Sequence, residues 1–303
     1  MFSFPSIKRF SCILFLLLIS LFVCLPSSFS EQNSLPKIRI GFTAVTIKTL
    51  IDLNKPFTEY IGAKLGLAPE VINTTLYSDM SRMLKNNEVD IAYVCGAPYT
   101  IDHDSFGEEL LAVPIPSFSA GKPIYQSYVI VRKDSPHQSL KDLQGARYAF
   151  SDPLSNSGKL IPTFLLAQKG YTIDNFFHSY VYTYSHTNSI EAVAVGLVDG
   201  ASVDSYIWEL HQKIDSTYSR ETKIIHQSKD FPFTPYVIRK SLPSETKEKI
   251  RSVFLNMHKD PEGMEILKKL YIDRFVFLDD KDYDPIREMI SFVDLFNRKL
   301  LPQ

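Results

Sequence analysis

Strand-like and helix-like segments alternate along the chain, and this alternation is the feature that most constrains its fold. The first half of the pattern predicts three strands with two helices between them, at residues 37–42 (strand), 50–65 (helix), 71–76 (strand), 79–86 (helix) and 89–94 (strand). Such alternation is typical of α/β proteins with parallel strands. Because ligands collect at the carboxyl ends of parallel strands, the loop Thr43–Thr46 and the turn Gly96–Tyr99 are expected on one rim.

A second α/β run follows the first. It starts with the strand that leads into Ser151, after the strand Tyr125–Arg132 and a short helix at 139–143. An extended, proline-marked segment, Phe231–Pro235, precedes the return strand Tyr236–Ile238. Two such units joined by extended crossings predict two lobes with a cleft between them, which is a favoured place for a ligand. The expected division is residues 31–131 for the first part of lobe I, 132–232 for lobe II, and 233–303 for the return to lobe I and the C-terminal helices.

A run of small polar residues lies where one strand of the second unit becomes a helix. The strand Ala146–Phe150 leads into Ser155, Asn156, Ser157 and Gly158, and an apolar helix follows. The first N–H groups of a helix have no intrahelical partner and carry the positive end of its dipole, so they can bind an oxyanion. Gly158 would let a ligand approach the backbone. The alternative is an ordinary Ser/Asn helix cap.

The N-terminus has the pattern of a secretory signal peptide. Lys8 and Arg9 precede a compact apolar run, and small residues follow it up to Ser30. We therefore expect residues 1–30 to be removed by cleavage before Glu31, which makes the protein periplasmic. The alternative, a lipid anchor on Cys24, is disfavoured because Val23 precedes that cysteine, where such signals usually have a small residue.

The charge balance, the cysteine content and the absence of known motifs argue against several kinds of protein and site. The chain has 33 Lys and Arg against 34 Asp and Glu, so nothing in its charge favours nucleic acid as a partner. Outside the leader only Cys95 remains, which excludes an internal disulfide and indicates a small buried side chain. No metal-ligand spacing or nucleophile motif is present, so neither an enzyme nor a metal or cofactor site is predicted.

Several stretches together resemble the phosphonate-binding branch of the type II periplasmic binding proteins of ABC transporters. The resemblance covers about residues 37–287, and its segments are Val89–Ala92, Gly96–Tyr99, Tyr125–Ser135, Leu140–Gly145, Asp152–Pro162, Ser185–Thr187, Ala192–Asp199 and Val203–Ser205. It implies the two-lobed α/β fold of that class, each lobe a mixed, mainly parallel sheet flanked by helices. It also implies a protein, expected to be a monomer, that closes on a small oxyanion and delivers it to a permease in the inner membrane.

The resemblance also implies roles for individual residues. Ser155, Asn156 and Ser157 would hold the phosphoryl oxygens, Tyr125 and His186 would donate from the rim, and Tyr99 would reach in from the first lobe. A contribution from Thr46 on the first loop is a further expectation, against the alternative of a plain turn residue. Near its ordinary pKa of about 6.5, His186 would make binding sensitive to pH.

Asp204 has three possible roles. It could face a ligand amine, accept a proton from a monoprotonated oxyanion, or cap the next helix. Two departures from the family pattern argue against an aminophosphonate: Thr187 stands where an acid is expected, and Phe231–Phe233 is apolar where a second carboxylate could stand. Asn156 also replaces a more usual threonine.

The sequence therefore predicts a periplasmic solute-binding protein for a phosphonate, phosphite or phosphate-like oxyanion. A ligand sensor that reports to a membrane receptor is the alternative within binding. An exported hydrolase of phosphate esters is the alternative from another class, and it would require turnover.

Overall fold

The computed structural model describes residues 35–43 and 48–300, with nothing said of the side chains of Lys48 and Thr49. The expected leader, its cleavage point before Glu31, Cys24 and Thr46 lie outside the described residues. Of the helices that are described, none has both the length and the apolar character needed to cross a membrane.

The described residues form strands and helices in alternation. The strands are β1 (Lys37–Phe42), β2 (Ala68–Asn73), β3 (Ile91–Tyr93), β4 (Glu109–Pro116), β5 (Ile124–Tyr125), β6 (Ser127–Arg132), β7 (Arg147–Phe150), β8 (Ser179–Tyr182), β9 (Gly200–Asp204), β10 (Thr222–Gln227), β11 (Phe231–Pro232), β12 (Tyr236–Ile238) and β13 (Ile272–Val276). The α-helices are α1 (Lys48–Ile51), α2 (Asn54–Leu65), α3 (Tyr77–Lys85), α4 (Gly96–Phe106), α5 (Ile161–Ala167), α6 (Ile173–Phe176), α7 (His186–Ala194), α8 (Ser205–Ile214), α9 (Ser244–Asn256), α10 (Pro261–Lys269) and α11 (Asp284–Leu300).

The first sheet has six strands in the order β13-β4-β12-β3-β1-β2. Strand β1 runs parallel to both β2 and β3, as the strand–helix alternation predicts. Strand β12 enters antiparallel between β3 and β4, and β13 adds antiparallel to β4. Stacked and edge-to-face rings of Phe57, Tyr236, Phe254 and Phe275 fill the core on one side of this sheet.

The second sheet has five strands in the order β10-β6-β9-β7-β8. Strand β7 is parallel to β8 and β9, whereas β6 is antiparallel to β9 and β10. The mixed α/β class is thus confirmed, but parallel pairs are not the majority. The expectation of mainly parallel sheets is wrong because the chain crosses between the sheets twice and places antiparallel strands in both.

The two crossing segments pair with each other. Strand β5 forms an antiparallel ribbon with β11, in which Tyr125 lies opposite Phe231. Strand β6 belongs to the second sheet and begins at Ser127, a few residues before the expected boundary at 131. The division into two lobes stays a prediction.

Some elements differ from the sequence prediction. Gly96–Tyr99 is the first turn of α4 rather than a loop. The strands β4, β10 and β13 were not predicted. In β13, exposed Asp273 and Arg274 interrupt the apolar pattern, so its segment reads as part of the helical C-terminal region.

Candidate functional site

The polar turn after β7 opens into helix α5 through one unusually wide helical turn, Asn156–Leu160. The Leu160 N–H donates to the carbonyl of Ser155 at 2.9 Å, a spacing of five residues, and such wide turns are frequent at functional sites. The Ser155 hydroxyl oxygen accepts from the Gly158 N–H at 2.9 Å. Ser155 is therefore a helix N-cap, as the alternative prediction held, and its own O–H remains able to donate.

Gly158 is required by packing inside the protein. A Cβ at this position would lie 1.8 Å from Ser151 Oγ and 2.9 Å from Ser155 Oγ. The sequence suggested that Gly158 leaves room for a ligand, but the close neighbour is the side chain that ends β7. The glycine therefore brings the first turn of the helix against the end of the strand.

Three buried polar atoms around this turn have no hydrogen-bond partner within the described residues: Ser151 Oγ, Asn156 Oδ1 and Ser157 Oγ. Ser155, Asn156 and Ser157 are each 0% exposed. Buried polar groups in folded proteins are nearly always paired, with protein, water or a ligand. Unpaired groups collected at one turn indicate a place for a polar ligand.

Tyr125 contacts the turn directly. Asn156 Nδ2 donates to the Tyr125 hydroxyl at 2.8 Å, which leaves the phenolic hydrogen to donate to the neighbouring Ser157 hydroxyl or to a ligand. If the amide is turned over, Tyr125 donates to Asn156 Oδ1 and the NH₂ group becomes free instead. In either orientation the pair offers a donor to a ligand. The Asn156 N–H donates to Cys95 Sγ at 3.3 Å, which joins the turn to the first sheet.

Asp204 and His186 lie next to the same turn. The Ser127 hydroxyl donates to the Ser157 carbonyl at 2.6 Å, and Ser127 pairs with Asp204 across β6 and β9. The Asp204 carboxylate accepts from the Tyr206 N–H at 2.8 Å and so caps α8. Its backbone N–H donates to His186 Nδ1 at 3.1 Å, so the neutral imidazole carries its hydrogen on Nε2.

Burial sets the protonation of both groups. It raises the pKa of Asp204 to about 7 and lowers the pKa of His186 to about 3. His186 is therefore a neutral donor at physiological pH, and the predicted titration near 6.5 is wrong. The sequence could not show this, because the burial of the imidazole comes from the packing of α7 against β9.

Three helices begin at the residues of this site. Helices α7 and α8 begin at His186 and Ser205, and the wide turn of α5 begins at Asn156. Among the hydrogen bonds of the described residues, none joins a Lys or Arg side chain to Tyr125, Asn156, Ser157, His186 or Asp204. Helix N-termini can hold an anion without a cationic side chain.

Tyr99 does not join this cluster. Its hydroxyl donates to Asp280 Oδ1 at 2.6 Å, and its ring packs edge-on against Tyr283 at 5.0 Å. Asp280 also pairs with Arg287 on α11 at 2.7 Å. Because Gly96–Tyr99 is helical, the Tyr99 side chain points toward α11 rather than toward the polar turn. The expectation that Tyr99 contacts the ligand from the first lobe is therefore wrong.

The structure adds residues that the sequence analysis missed. The Tyr77 N–H, at the start of α3, donates to Asp152 Oδ2 at 3.4 Å. The Tyr93 hydroxyl bonds to Thr234 Oγ1 at 2.5 Å. Burial, with a smaller contribution from the charge of Asp204, raises the pKa of both phenols well above the usual range. Tyr93 ends β3 at the rim where ligands collect, a signal that could have identified it.

The Phe231–Phe233 segment forms an apolar wall. The Phe233 ring packs edge-on against Tyr125 at 5.8 Å and against Tyr206 at 5.1 Å. Within the described part of the chain, no group of three or more His, Cys, Asp or Glu side chains is arranged to hold a metal ion.

Comparison with known proteins gives one consistent result. Residues 42–283 match the family model described as ABC transporter, phosphonate, periplasmic substrate-binding protein. The chain is 30% identical over 244 residues to the phosphonates-binding periplasmic protein of Escherichia coli K12, covering 79% of this chain and 71% of that protein.

Solved structures agree on the fold. A binding-protein component of an ABC phosphonate transporter from Pseudomonas aeruginosa superposes with a TM-score of 0.81 at 25% identity, covering 87% of this chain and 88% of that chain. A Prochlorococcus marinus protein in complex with methylphosphonate gives a TM-score of 0.77 at 19% identity, covering 85% and 98%. The predicted type II periplasmic binding protein fold is confirmed.

Proposed function

Because the chain belongs to the periplasmic substrate-binding proteins of phosphonate ABC transporters, we propose that it captures a small phosphonate or related phosphorus oxyanion at the Asn156–Ser157 turn. The captured ligand passes to an ABC permease in the inner membrane. The protein acts as a monomer, without a cofactor and without catalysis. It reaches the periplasm by loss of residues 1–30, with the cut before Glu31.

The observation that carries this proposal is the unpaired Ser157 hydroxyl. It is fully buried at the N-terminus of a helix and has no hydrogen-bond partner among the described residues, and the same holds for Asn156 Oδ1 and Ser151 Oγ beside it. A phosphoryl oxygen accepts from such donors at short distance, and hydrogen bonds to a charged group are the strong ones. Binding of the anion would therefore satisfy buried groups that have no partner among the described residues.

Each neutral donor has a place in the proposed complex. Ser157 and the free hydrogen of the Tyr125–Asn156 pair donate to phosphoryl oxygens, and His186 donates through Nε2–H. Asp204 accepts the remaining proton of a monoprotonated oxyanion, because its raised pKa of about 7 lets carboxyl and ligand share one proton near neutral pH. A ligand ammonium is the other partner that suits this carboxylate.

The organic part of the ligand faces aromatic walls. Phe233 and Tyr206 line the side near Asp204, and the Asp152 carboxylate is already engaged by the N–H groups of Tyr77 and Leu154. An ammonium would thus have Asp204 alone as its counter-ion. These features support a small apolar substituent, such as methyl, over aminoethyl.

Thermal unfolding of the mature protein against a ligand panel tests the proposal. The panel contains methylphosphonate, phosphite, phosphate, aminoethylphosphonate, sulfate and acetate. A ligand that binds only the folded state raises the midpoint by linkage, so we expect a rise with at least one phosphorus oxyanion and none with acetate. No rise with any phosphorus oxyanion would contradict the proposal. Turnover of a chromogenic phosphate ester would support the hydrolase alternative instead.

A further inference from the structure

A cavity lies beside the C-terminal end of helix α5, away from the turn along the chain. It has a volume of about 590 Å³, which is within the range of small-molecule sites. Its walls come from α5, α6 and the short helical turn Leu140–Leu143, and the apolar lining is Leu140, Leu165, Leu166, Tyr171 and Phe176. The cavity therefore offers an apolar body to a ligand, at the C-terminal end of the helix whose first turn forms the oxyanion site.

One polar group in the lining is unpaired. His226 lines the cavity, and its Nε2 is buried without a hydrogen-bond partner among the described residues. A β-bulge between Ile224 and His226 shifts the register of β10 at this point, and bulges commonly re-aim a side chain beside a functional site. Burial lowers the pKa of His226, so the imidazole is neutral at pH 7 and can donate one hydrogen bond.

The charges in the cavity lining have one sign. Among the described residues, Lys141 and Lys169 line it and no carboxylate does. The nearest acid along the chain, Asp142, is engaged by the backbone N–H groups of Gln138 and Ser139 at 2.9 and 3.0 Å. Both lysines are exposed, so each can extend an ammonium over the opening while its methylene chain covers apolar wall.

We propose that this cavity binds an apolar monocarboxylate, with its hydrocarbon part against the leucine and aromatic walls and its carboxylate between Lys141, Lys169 and His226 Nε2–H. This site is separate from the oxyanion site, and its occupant need not contain phosphorus. The charge of the lining selects an acid over a neutral molecule of equal size.

Isothermal titration calorimetry with octanoate, and with octanol as the uncharged match, tests the inference. The mature protein is first saturated with methylphosphonate, so that octanoate cannot occupy the oxyanion site. It is then expected to bind one octanoate, and to bind octanol at least about tenfold more weakly. The double variant Lys141→Gln/Lys169→Gln should weaken octanoate binding about tenfold and leave octanol unchanged. His226→Phe should weaken octanoate binding as well.

The control is Lys133→Gln/Lys259→Gln, which removes two exposed lysines outside the cavity and should bind octanoate as the parent does. Absence of saturable octanoate binding, or equal weakening in the control and the cavity variant, would overturn the proposal. Equal affinity for octanol and octanoate would do the same. If methylphosphonate itself fails to bind, the oxyanion proposal falls, but the octanoate titration still decides this one.

Discussion

The backbone N–H of Asp204 donates a hydrogen bond to Nδ1 of His186 at 3.1 Å. This single contact ties the end of β9 to the start of α7 and fixes the imidazole as a neutral Nε2–H donor. It also leaves the Asp204 side chain free to cap α8 through Tyr206. A carboxyl group and an imidazole thus lie side by side without forming an ion pair.

His186 should stay neutral throughout the physiological range. Because burial lowers its pKa to about 3, its ring signals in an NMR titration should not move between pH 5 and 8. A His186 transition centred near 6.5 would mean that the ring is solvated and would contradict its place in the buried cluster.

Asp204→Asn should stabilise the protein at high pH. The folded pKa of about 7 lies above the unfolded value of 3.8, so the native protein loses stability as pH rises from about 4 to 7 and carries the full penalty above that. The variant keeps a helix cap and removes the ionisation. Urea unfolding should show a gain of roughly 2–4 kcal/mol at pH 8 and little change at pH 4. A loss at pH 8 would contradict the assignment.

Asp90→Asn should destabilise the protein, the opposite of the effect expected for Asp204→Asn. Asp90 accepts from Arg39 N, Nε and Nη2 at 2.9–3.0 Å and from Arg239 Nε at 2.8 Å. Burial alone would raise its pKa, but the arginine hydrogen bonds outweigh burial and lower it. The stability it contributes is present above the unfolded pKa and is lost as pH falls through the folded one.

Removal of that carboxylate should cost roughly 3 kcal/mol in urea unfolding at pH 7, because two partly buried guanidinium groups lose their partner. The matched control is Asp134→Asn, whose pair with Arg132 is exposed and should therefore contribute little to stability. Equal effects of the two substitutions would show that the buried position of Asp90 is unimportant.

Gly158→Ala should destabilise the fold by roughly 1–3 kcal/mol, the usual range for overpacking, because the new methyl group would overlap Ser151 Oγ. The double variant Ser151→Gly/Gly158→Ala removes that neighbour and should recover part of the loss. Gly170→Asn, at an open position with φ of +82°, is the control. Wild-type stability for Gly158→Ala would contradict the packing at the turn.

The sequence predicts the features of the fold that are determined by residues close together in the chain. The strand ending at Phe150, the glycine and the small polar residues after it are contiguous, so the turn and its helix could be predicted. Tyr99 could not be placed, because its partner Asp280 lies 181 residues away and arrives with the last helix. The same holds for His186 and Asp204, whose pKa values follow from burial that only the tertiary structure supplies.

The central claim is that Ser157 holds a phosphorus oxyanion, and calorimetric titration of methylphosphonate tests it most directly. Ser157→Ala is compared with Ser219→Ala, which removes another buried hydroxyl that has no partner within the described part of the chain and lies outside the cluster. We predict that Ser157→Ala weakens binding by roughly 1.5–3 kcal/mol, as expected for a hydrogen bond to a charged group, and that Ser219→Ala leaves it unchanged. Equal affinity for all three proteins would contradict the account.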